Sequence, residues 1–465
     1  MEIFQIRDLV QAMDGELITG DPNLLVDGVS IDSRTIHKGE AYFAIKGKRY
    51  DGHNFIKEVV NKAASVIVYS NKNLKSFARF SKFPAMVKTD NTIVALGKFA
   101  KYYREKFKNV SVVGITGSNG KTTTKEILFS ILNNKGKTLS NKGNFNNKIG
   151  LPLSVFNLTS QCQYAIFEIG TSLYGEVEIL SSILMPDIAV ITNIGFSHLE
   201  AFISPEGVFK EKKVLFEKVK ENGCLVINND DRFLRTIIDV VGRRKIITFG
   251  LNCQADVTAE NIKLFPNQTV FNIYFNKESL EIFMPVCAKF NIYNALSAGA
   301  CALGLGLSLR DIKAGIESFS HPKMRMEVVY VKNGGVLIND TYNANPSSMR
   351  NSIDAVLQSY PCKNVNLVLA DMLELGNKSD EYHFELGKFI RDKKINSVNL
   401  FGDIIFNTKI GLGDNKNVFY SKSLDEFLNN LKNIDIDENS VFLFKGSRGM
   451  KLEKIFTKFY DFLER

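Results

Sequence analysis

Val112-Val113-Gly114-Ile115-Thr116-Gly117-Ser118-Asn119-Gly120-Lys121-Thr122-Thr123-Thr124-Lys125-Glu126 is the stretch on which the reading of this chain turns. β-branched residues lead into a glycine-rich turn, and the turn ends in Lys-Thr at the mouth of a helix. A strand, a glycine loop and a helix N-terminus in that order cradle phosphates, because backbone N–H groups converge and the helix end carries partial positive charge. Gly117, Ser118, Asn119 and Gly120 form the loop. Lys121 would reach the outer phosphates, with Thr123 beside it, and the Thr122 hydroxyl would ligate Mg²⁺. The longer form of the motif has a further glycine where Ile115 stands, so only Thr-Gly-x-x-Gly-Lys-Thr is met. ATP binding is the expectation.

The 465 residues exceed what one hydrophobic core usually organises, and about three domains are expected. Hydrophobic content of 45% and charged content of 23% suit a globular enzyme rather than a disordered chain. The formal charge of +9 would serve an acidic, nucleotide-linked substrate. Basic residues are dispersed, and pairs such as Lys212-Lys213 and Arg243-Arg244 read as solvated faces or turns, so no nucleic-acid partner is expected. Six scattered cysteines without C-x-x-C spacing argue against a disulfide framework or a zinc site. Met1–Asp14 carries acidic residues and lacks an apolar core, so it is not expected to be a signal peptide. The uncharged run between Lys289 and Arg310 contains Asn291, Asn294 and three glycines, which reads as a buried helix rather than a membrane span. A cytoplasmic monomer is expected.

The fold expected is α/β in three domains. Residues 1–100 mix short strands and helices, with a strand at Ala41–Ile45, and a helix over Asn91–Phe107 links them onward. Residues 101–320 alternate apolar strands (Tyr164–Phe167, Ile188–Ile191, Cys224–Ile227, Lys245–Phe249) with helices, a doubly wound sheet that binds ligands at its carboxyl edge. Val257–Pro285 alternates with period two and predicts a small antiparallel piece. Residues 321–465 restart the pattern with strands at Gly335–Asn339, Val365–Leu369, Val398–Phe401 and Val441–Phe444, a Rossmann-like unit.

Glu168 ends one strand, and His198 follows another. Both fall where a phosphate-bound metal would sit. Lys212 lies in Phe209–Glu217, read as helical, and from the sequence alone it suggests a solvated charged face.

With these residues in view, the chain resembles the Mur ligases of bacterial cell-wall synthesis along nearly its whole length. Thr116–Glu126 is similar to the family's ATP loop. Asp32-Ser33-Arg34 and Gly47–His53 are similar to the domain that holds the UDP-sugar, which implies substrate contacts at Ser33, Arg34, Lys46, Gly47 and Asp51. Gly143–Gly150, Asp340–Pro346, Asp371–Gly376 and Lys445–Arg448 resemble the members that perform the last peptide-joining step. The Asp-Asn-Pro run of the preceding ligase is absent from the sequence. The resemblance implies that Lys121, Lys212, Glu168, His198 and Arg325 are catalytic. Thr122, Glu168, His198 and a carbamylated Lys212 would hold two Mg²⁺ ions. It further implies Asn291 on adenine, Arg325 and Asp340 on the γ-phosphate and ribose, and Asn144 and Asn147 on the UDP-sugar. Asn343, Asn345, Lys445 and Arg448 would grip the amine. Phe290 departs from the pattern, because the last ligase commonly has His there.

The activity so implied is ATP-dependent joining of D-alanyl-D-alanine to UDP-N-acetylmuramoyl-tripeptide through an acyl phosphate. The last domain would close over ATP and the amine to keep water out. The competing readings are the preceding ligase, which adds a diamino acid to the UDP-sugar dipeptide, and a regulatory ATPase that ligates nothing.

Overall fold

The computed structural model describes residues 1–70, 84–237, 244–414 and 417–464. Arg243, half of the Arg243-Arg244 pair, lies outside the described residues. Five sheets and the helices around them make a three-part α/β architecture.

The first sheet contains β1 (Glu16–Thr19), β2 (Gly28–Ser30), β3 (Glu40–Phe43), β4 (Val66–Tyr69) and β5 (Ala85–Lys88) in the order β1-β5-β4-β3-β2. Helix α1 (Thr92–Glu105), capped by Asn91, follows as the spacing predicts. Its Leu96, Phe99 and Tyr103 are fully buried and share a core with Phe4, Leu151 and Phe156, so α1 cements the first unit to the next.

The central sheet is wholly parallel: β6 (Ser111–Thr116), β7 (Thr138–Ser140), β8 (Tyr164–Glu168), β9 (Ile188–Ile191), β10 (Cys224–Asn228) and β11 (Lys245–Phe249). The spatial order is β11-β10-β9-β6-β8-β7. Strands covered on both faces read as unbroken apolar runs, which is why periodicity located them. Register decides the site: Glu168 pairs with Ile115 and Ile191 with Thr116. The loop after β6, the acid ending β8 and the segment after β9 therefore open at one edge of the sheet. Helix α2 (Lys121–Asn133) leaves the loop. Helix α3 (Pro205–Lys212) ends at Lys212, and a short helical segment, Val214–Glu217, follows it, so Phe209–Glu217 is helical on both sides of Lys213. Lys212 is 1% exposed, which overturns its reading as a solvated face.

The antiparallel piece exists as β12 (Thr258–Phe265), β13 (Gln268–Phe275) and β14 (Glu278–Met284). The uncharged run becomes α4 (Lys289–Gly304), buried along most of its length, and then α5 (Leu309–Glu317). Among the described residues no helix is long and apolar enough to cross a membrane.

The last sheet has β15 (Glu327–Tyr330) antiparallel to β16 (Val336–Asp340); helix α6 (Pro346–Ser359) follows β16. Then come β17 (Asn364–Ala370), β18 (Ser397–Phe401), β19 (Val418–Ser421) and β20 (Ser440–Lys445), all parallel, in the order β15-β16-β20-β17-β18-β19. Its core takes in Leu199, Phe202 and Val208 from the central unit.

Helix α5 crosses α2 at a glycine. A Cβ on Gly315 would lie 2.4 Å from the Ile131 Cα, a backbone atom that cannot swing aside. Gly315→Ala gains about 1 kcal/mol of helix propensity but overpacks this crossing. A net loss of about 1–3 kcal/mol is expected, read as a lower denaturant midpoint with unchanged slope.

Candidate functional site

The phosphate loop is built around two left-handed glycines. Gly117 has φ 148° and Gly120 φ 83°. A Cβ on either would strike a neighbour: 1.9 Å from Thr192 Oγ1 for Gly117 and 2.2 Å from Asn294 Oδ1 for Gly120. Only glycine meets both demands. The loop is pinned from β9 and its continuation. Ser118 N donates to Asn193 O at 2.9 Å, and Asn119 N donates to Asn193 Oδ1 at 3.0 Å. The Ser118 hydroxyl accepts from Gly195 N at 2.9 Å.

Lys121 folds back on the loop, donating to Gly117 O at 2.7 Å. Desolvation, with Arg325 nearby, pushes its ammonium below the usual lysine value, and Glu168 opposes that shift. Thr122 Oγ1 donates to Glu168 Oε2 at 2.8 Å, and Arg325 Nη2 reaches Thr122 Oγ1 at 3.3 Å. Arg325 also lies over the Tyr342 ring, 4.0 Å from its centroid. Its neighbours Met324 and Met326 both hold positive φ, at 60° and 56°.

Glu168 is 3% exposed and held from behind. Asn146 Nδ2 donates to Oε1 at 2.8 Å. The Asn141 side chain accepts from Glu168 N at 2.9 Å and donates to Glu168 O at 3.0 Å. Buried Lys125 donates to Asn141 O at 2.7 Å. These three residues were not foreseen. Asn146 sits inside the quoted Gly143–Gly150 motif, but nothing local distinguishes Asn141 or Lys125.

A pair of hard oxygens, Thr122 Oγ1 and Glu168, fits Mg²⁺, which takes one or two carboxylates and fills its shell with phosphate oxygens and water. Among the described residues no cluster of three or more His, Cys, Asp or Glu could hold a metal by itself, so phosphate would have to complete the shell. His198, at φ 52°, follows Ser197, whose hydroxyl touches Ser118 Oγ at 3.0 Å. Its Nδ1 lies 2.6 Å from Glu374 Oε2, and the imidazole holds the Glu374 carboxyl below its usual value. Lys212 lies nearby in sequence on α3 and is buried. Burial first, and the Lys121 charge second, push its ammonium well below the ordinary lysine value.

Beside the loop opens a cleft of about 560 Å³ between the central and last units. Asn119, Gly120, Thr123, Asn291, Arg325, Asp340 and Lys445 line it, together with Phe290. Asn291 is anchored by Nδ2 to Cys287 O at 2.9 Å. Asp340 Oδ2 accepts from Lys445 Nζ at 2.5 Å and from Ser352 Oγ at 2.6 Å, a buried pair. Burial lowers the Lys445 ammonium while Asp340 holds it up.

Other candidates make local contacts. Asn147 caps the turn of Gly150–Val155 through Ile149 N and Gly150 N, and Asn144 is exposed. Asn343 gives its carbonyl to Lys445 at 3.1 Å, and Arg448 is exposed. Asn345 caps α6 and meets Asn119. In the first unit Ser33 donates to Glu58 at 3.0 Å, and Arg34 makes a two-pronged pair with Asp32 at 2.6 and 2.9 Å. Asp51 accepts from His53 N at 3.0 Å. Lys46, Gly47 and the Lys48-Arg49-Tyr50 that follow form an exposed basic loop. None of these first-unit residues lines the cleft.

Sequence patterns of one family cover most of the chain. The Mur ligase family catalytic domain matches residues 25–107, the Mur ligase middle domain 115–302, and the Mur ligase glutamate ligase domain 324–448. A UDP-N-acetylmuramoyl-tripeptide–D-alanyl-D-alanine ligase of Bacillus subtilis is 31% identical over 97% of both chains. This chain belongs to the Mur ligase family. Two solved Mur ligases share its fold. MurF of Acinetobacter baumannii has a TM-score of 0.90 at 31% identity, covering 99% of each chain. MurF of Thermotoga maritima, solved with ADP, has a TM-score of 0.83 at 27% identity, covering 94% of this chain and 98% of its own.

Lys212 gives this Mur ligase a testable pH signature. An unfolded lysine keeps its proton to about pH 10.4, and folded Lys212 gives it up earlier. Between those points the unfolded chain binds more protons, so stability rises with pH there, and the burial penalty is complete below the folded pKa. Lys212→Met should melt at a higher temperature than the parent at neutral pH and lose that alkaline gain. Its activity should fall by about 10²-fold or more.

Proposed function

We propose that this Mur ligase joins D-alanyl-D-alanine to UDP-N-acetylmuramoyl-tripeptide at the expense of ATP, as its B. subtilis relative is named for doing. The observation that carries the reading is a phosphate loop whose Asn119, Gly120 and Thr123 line one cleft with Asp340, Ser347 and Lys445 of a second α/β unit, with the Thr122–Glu168 contact beside it. A carboxylate is a poor electrophile, so it must be activated. Its oxygen attacks the γ-phosphorus of ATP, the bond to ADP breaks, and an acyl phosphate forms. The dipeptide amine attacks the acyl carbon, phosphate leaves with its oxygen, and the amine sheds a proton. With a pKa of about 8, a useful part of that amine is neutral at pH 7.

The residues divide the work. Lys121 exchanges the Gly117 carbonyl for phosphate oxygens, and Arg325 neutralises charge on the group in transfer. Thr122, Glu168, His198 and Lys212, the last as a carbamate, hold Mg²⁺, which when bound screens phosphate charge from the incoming carboxylate. The depressed Lys212 ammonium supports this role, because CO₂ adds to a neutral amine. Ser118, Asn119, Thr123, Asn291 and Asp340 bound the nucleotide site. The exposed Arg34 and the loop at Lys46, Gly47 and Asp51 suit the diphosphate of a UDP-sugar, with Asn144 and Asn147 further along its path. Asn343, Asn345, Lys445 and Arg448 bound the amine site. Residues 1–100, 101–320 and 321–465 are the corresponding substrate, ATP and amine domains of a cytoplasmic monomer.

Phosphate release from ATP should require both UDP-N-acetylmuramoyl-tripeptide and D-alanyl-D-alanine, with a pentapeptide product by mass. Turnover only with the UDP-sugar dipeptide and a diamino acid would make this the preceding ligase. ATP hydrolysis indifferent to both would make it a regulatory ATPase.

A further inference from the structure

One side chain of the phosphate loop is tied to the last unit. The main chain of Asn119 is fixed by Asn193 and Thr192, the Thr192 hydroxyl donating to Asn119 O at 2.5 Å. Its side-chain amide crosses to the last unit. Asn345 Nδ2 donates to Asn119 Oδ1 at 2.8 Å, and Asn119 Nδ2 donates to Ser347 Oγ at 3.1 Å. Ser347 Oγ donates in turn to Asn345 Oδ1 at 2.9 Å. The three side chains close a ring between residues more than 220 positions apart in sequence. Asn345 is at the same time the N-cap of α6, accepting from Ser348 N at 2.8 Å.

Helix α6 is bound at its far end too. Ser359, its last residue, meets Cys287 in a short contact, and the Cys287 carbonyl anchors Asn291. Between these ends Ser347, Asn351 and Ala355 line the cleft. The helix thus lies along the nucleotide site, with one end on the phosphate loop and the other behind the adenine-side asparagine. Phosphate binding by the loop needs backbone N–H groups and Lys121, so the Asn119 amide is spare for this task.

We propose that Ser347 and Asn345 are positioning residues that act through Asn119, bracing the phosphate loop in its working shape only when the last domain is docked. Acyl phosphate then forms with the amine-bearing domain already in place, and the reactive intermediate does not meet bulk water. The inference rests on the ligase reading above.

The test is a double-mutant cycle of Asn119→Ala and Ser347→Ala in the full-length protein, with melting curves to verify folding. Ser347 lies inside the first turn of α6 and does not cap it, so its alanine keeps the helix. Each single variant should lower kcat about tenfold with KM for the UDP-sugar substrate unchanged. The double variant should be about tenfold down rather than about a hundredfold, because both changes break one ring. Ser347→Thr, which keeps the hydroxyl, should restore most of the rate. The fraction of compact particles with ATP analogue, measured by small-angle scattering, should fall equally in all three alanine variants. Multiplicative losses, or single variants with parental kcat and compaction, would overturn the proposal. Scattering is read without turnover, so a parent protein that compacts normally but makes no pentapeptide would fail the ligase reading and leave the brace standing.

Discussion

An ammonium group taken out of water needs a partner, and in this protein Lys212 has none within hydrogen-bond reach among the described residues. The burial cost of an unpaired charge amounts to several kcal/mol after relaxation. Lys121 adds a second cation close enough to disfavour the first, and Arg325 weighs on Lys121 in the same sense. Glu211 and then Glu168 oppose the shift at Lys212, yet the Glu168 oxygens accept from Thr122 and Asn146 and those of Glu211 from Thr171, Gly175 and Val177. Such a site is short of negative charge by construction. A polyphosphate supplies what is missing, and a carbamate would turn Lys212 from a liability into an oxygen ligand.

The second dependence is between domains. The segment after β9 carries His198, yet its apolar residues Leu199 and Phe202 pack in the core of the last sheet. Glu200 N donates to Glu374 O at 3.2 Å, and the Phe196 ring meets Tyr382 edge-on with centroids 5.4 Å apart. His198 therefore belongs to the central unit by chain and to the last unit by packing. Any motion of the last domain must either carry this segment with it or expose Leu199 and Phe202 to water, at about 1.5–3 kcal/mol for each large side chain fully exposed. Closure and assembly of the site are one event.

The fold was legible because buried parallel strands announce themselves. Ile188–Ile191 and Lys245–Phe249 match their strands end to end, and the period-two stretch before Pro285 is antiparallel as its alternation implies. The loop glycines were legible because their task admits no other residue. Lys212 was not: a Lys-Lys pair in a helical stretch looks solvated whether or not the helix stops there, and only the break after Lys212 and the packing around it decide. Asn345 and Asn119 were each readable as ligand contacts, since an asparagine in a motif carries no mark of what its amide will meet. Asn141 and Lys125 act on Glu168 through hydrogen bonds across strands and a helix, and sequence spacing does not encode such reach.

Backbone strain completes the argument. His198, Ile203, Met324, Met326 and Glu374 hold positive φ, between 45° and 70°: the first two bracket Leu199–Phe202, Glu374 meets His198, and the two methionines flank Arg325. Ile203 is β-branched and 82% exposed, so neither conformational preference nor burial favours it there. Each such residue costs about 1–3 kcal/mol and persists where the surrounding packing over-determines it. Strain on one side and the burial of Leu199 and Phe202 on the other oppose each other at the same seam. A nucleotide that binds the docked form better by about 3 kcal/mol can then shift the population by more than a hundredfold. A ligase that must admit ATP, a carboxylate and an amine and release ADP, phosphate and the amide in each cycle needs a seam that can part.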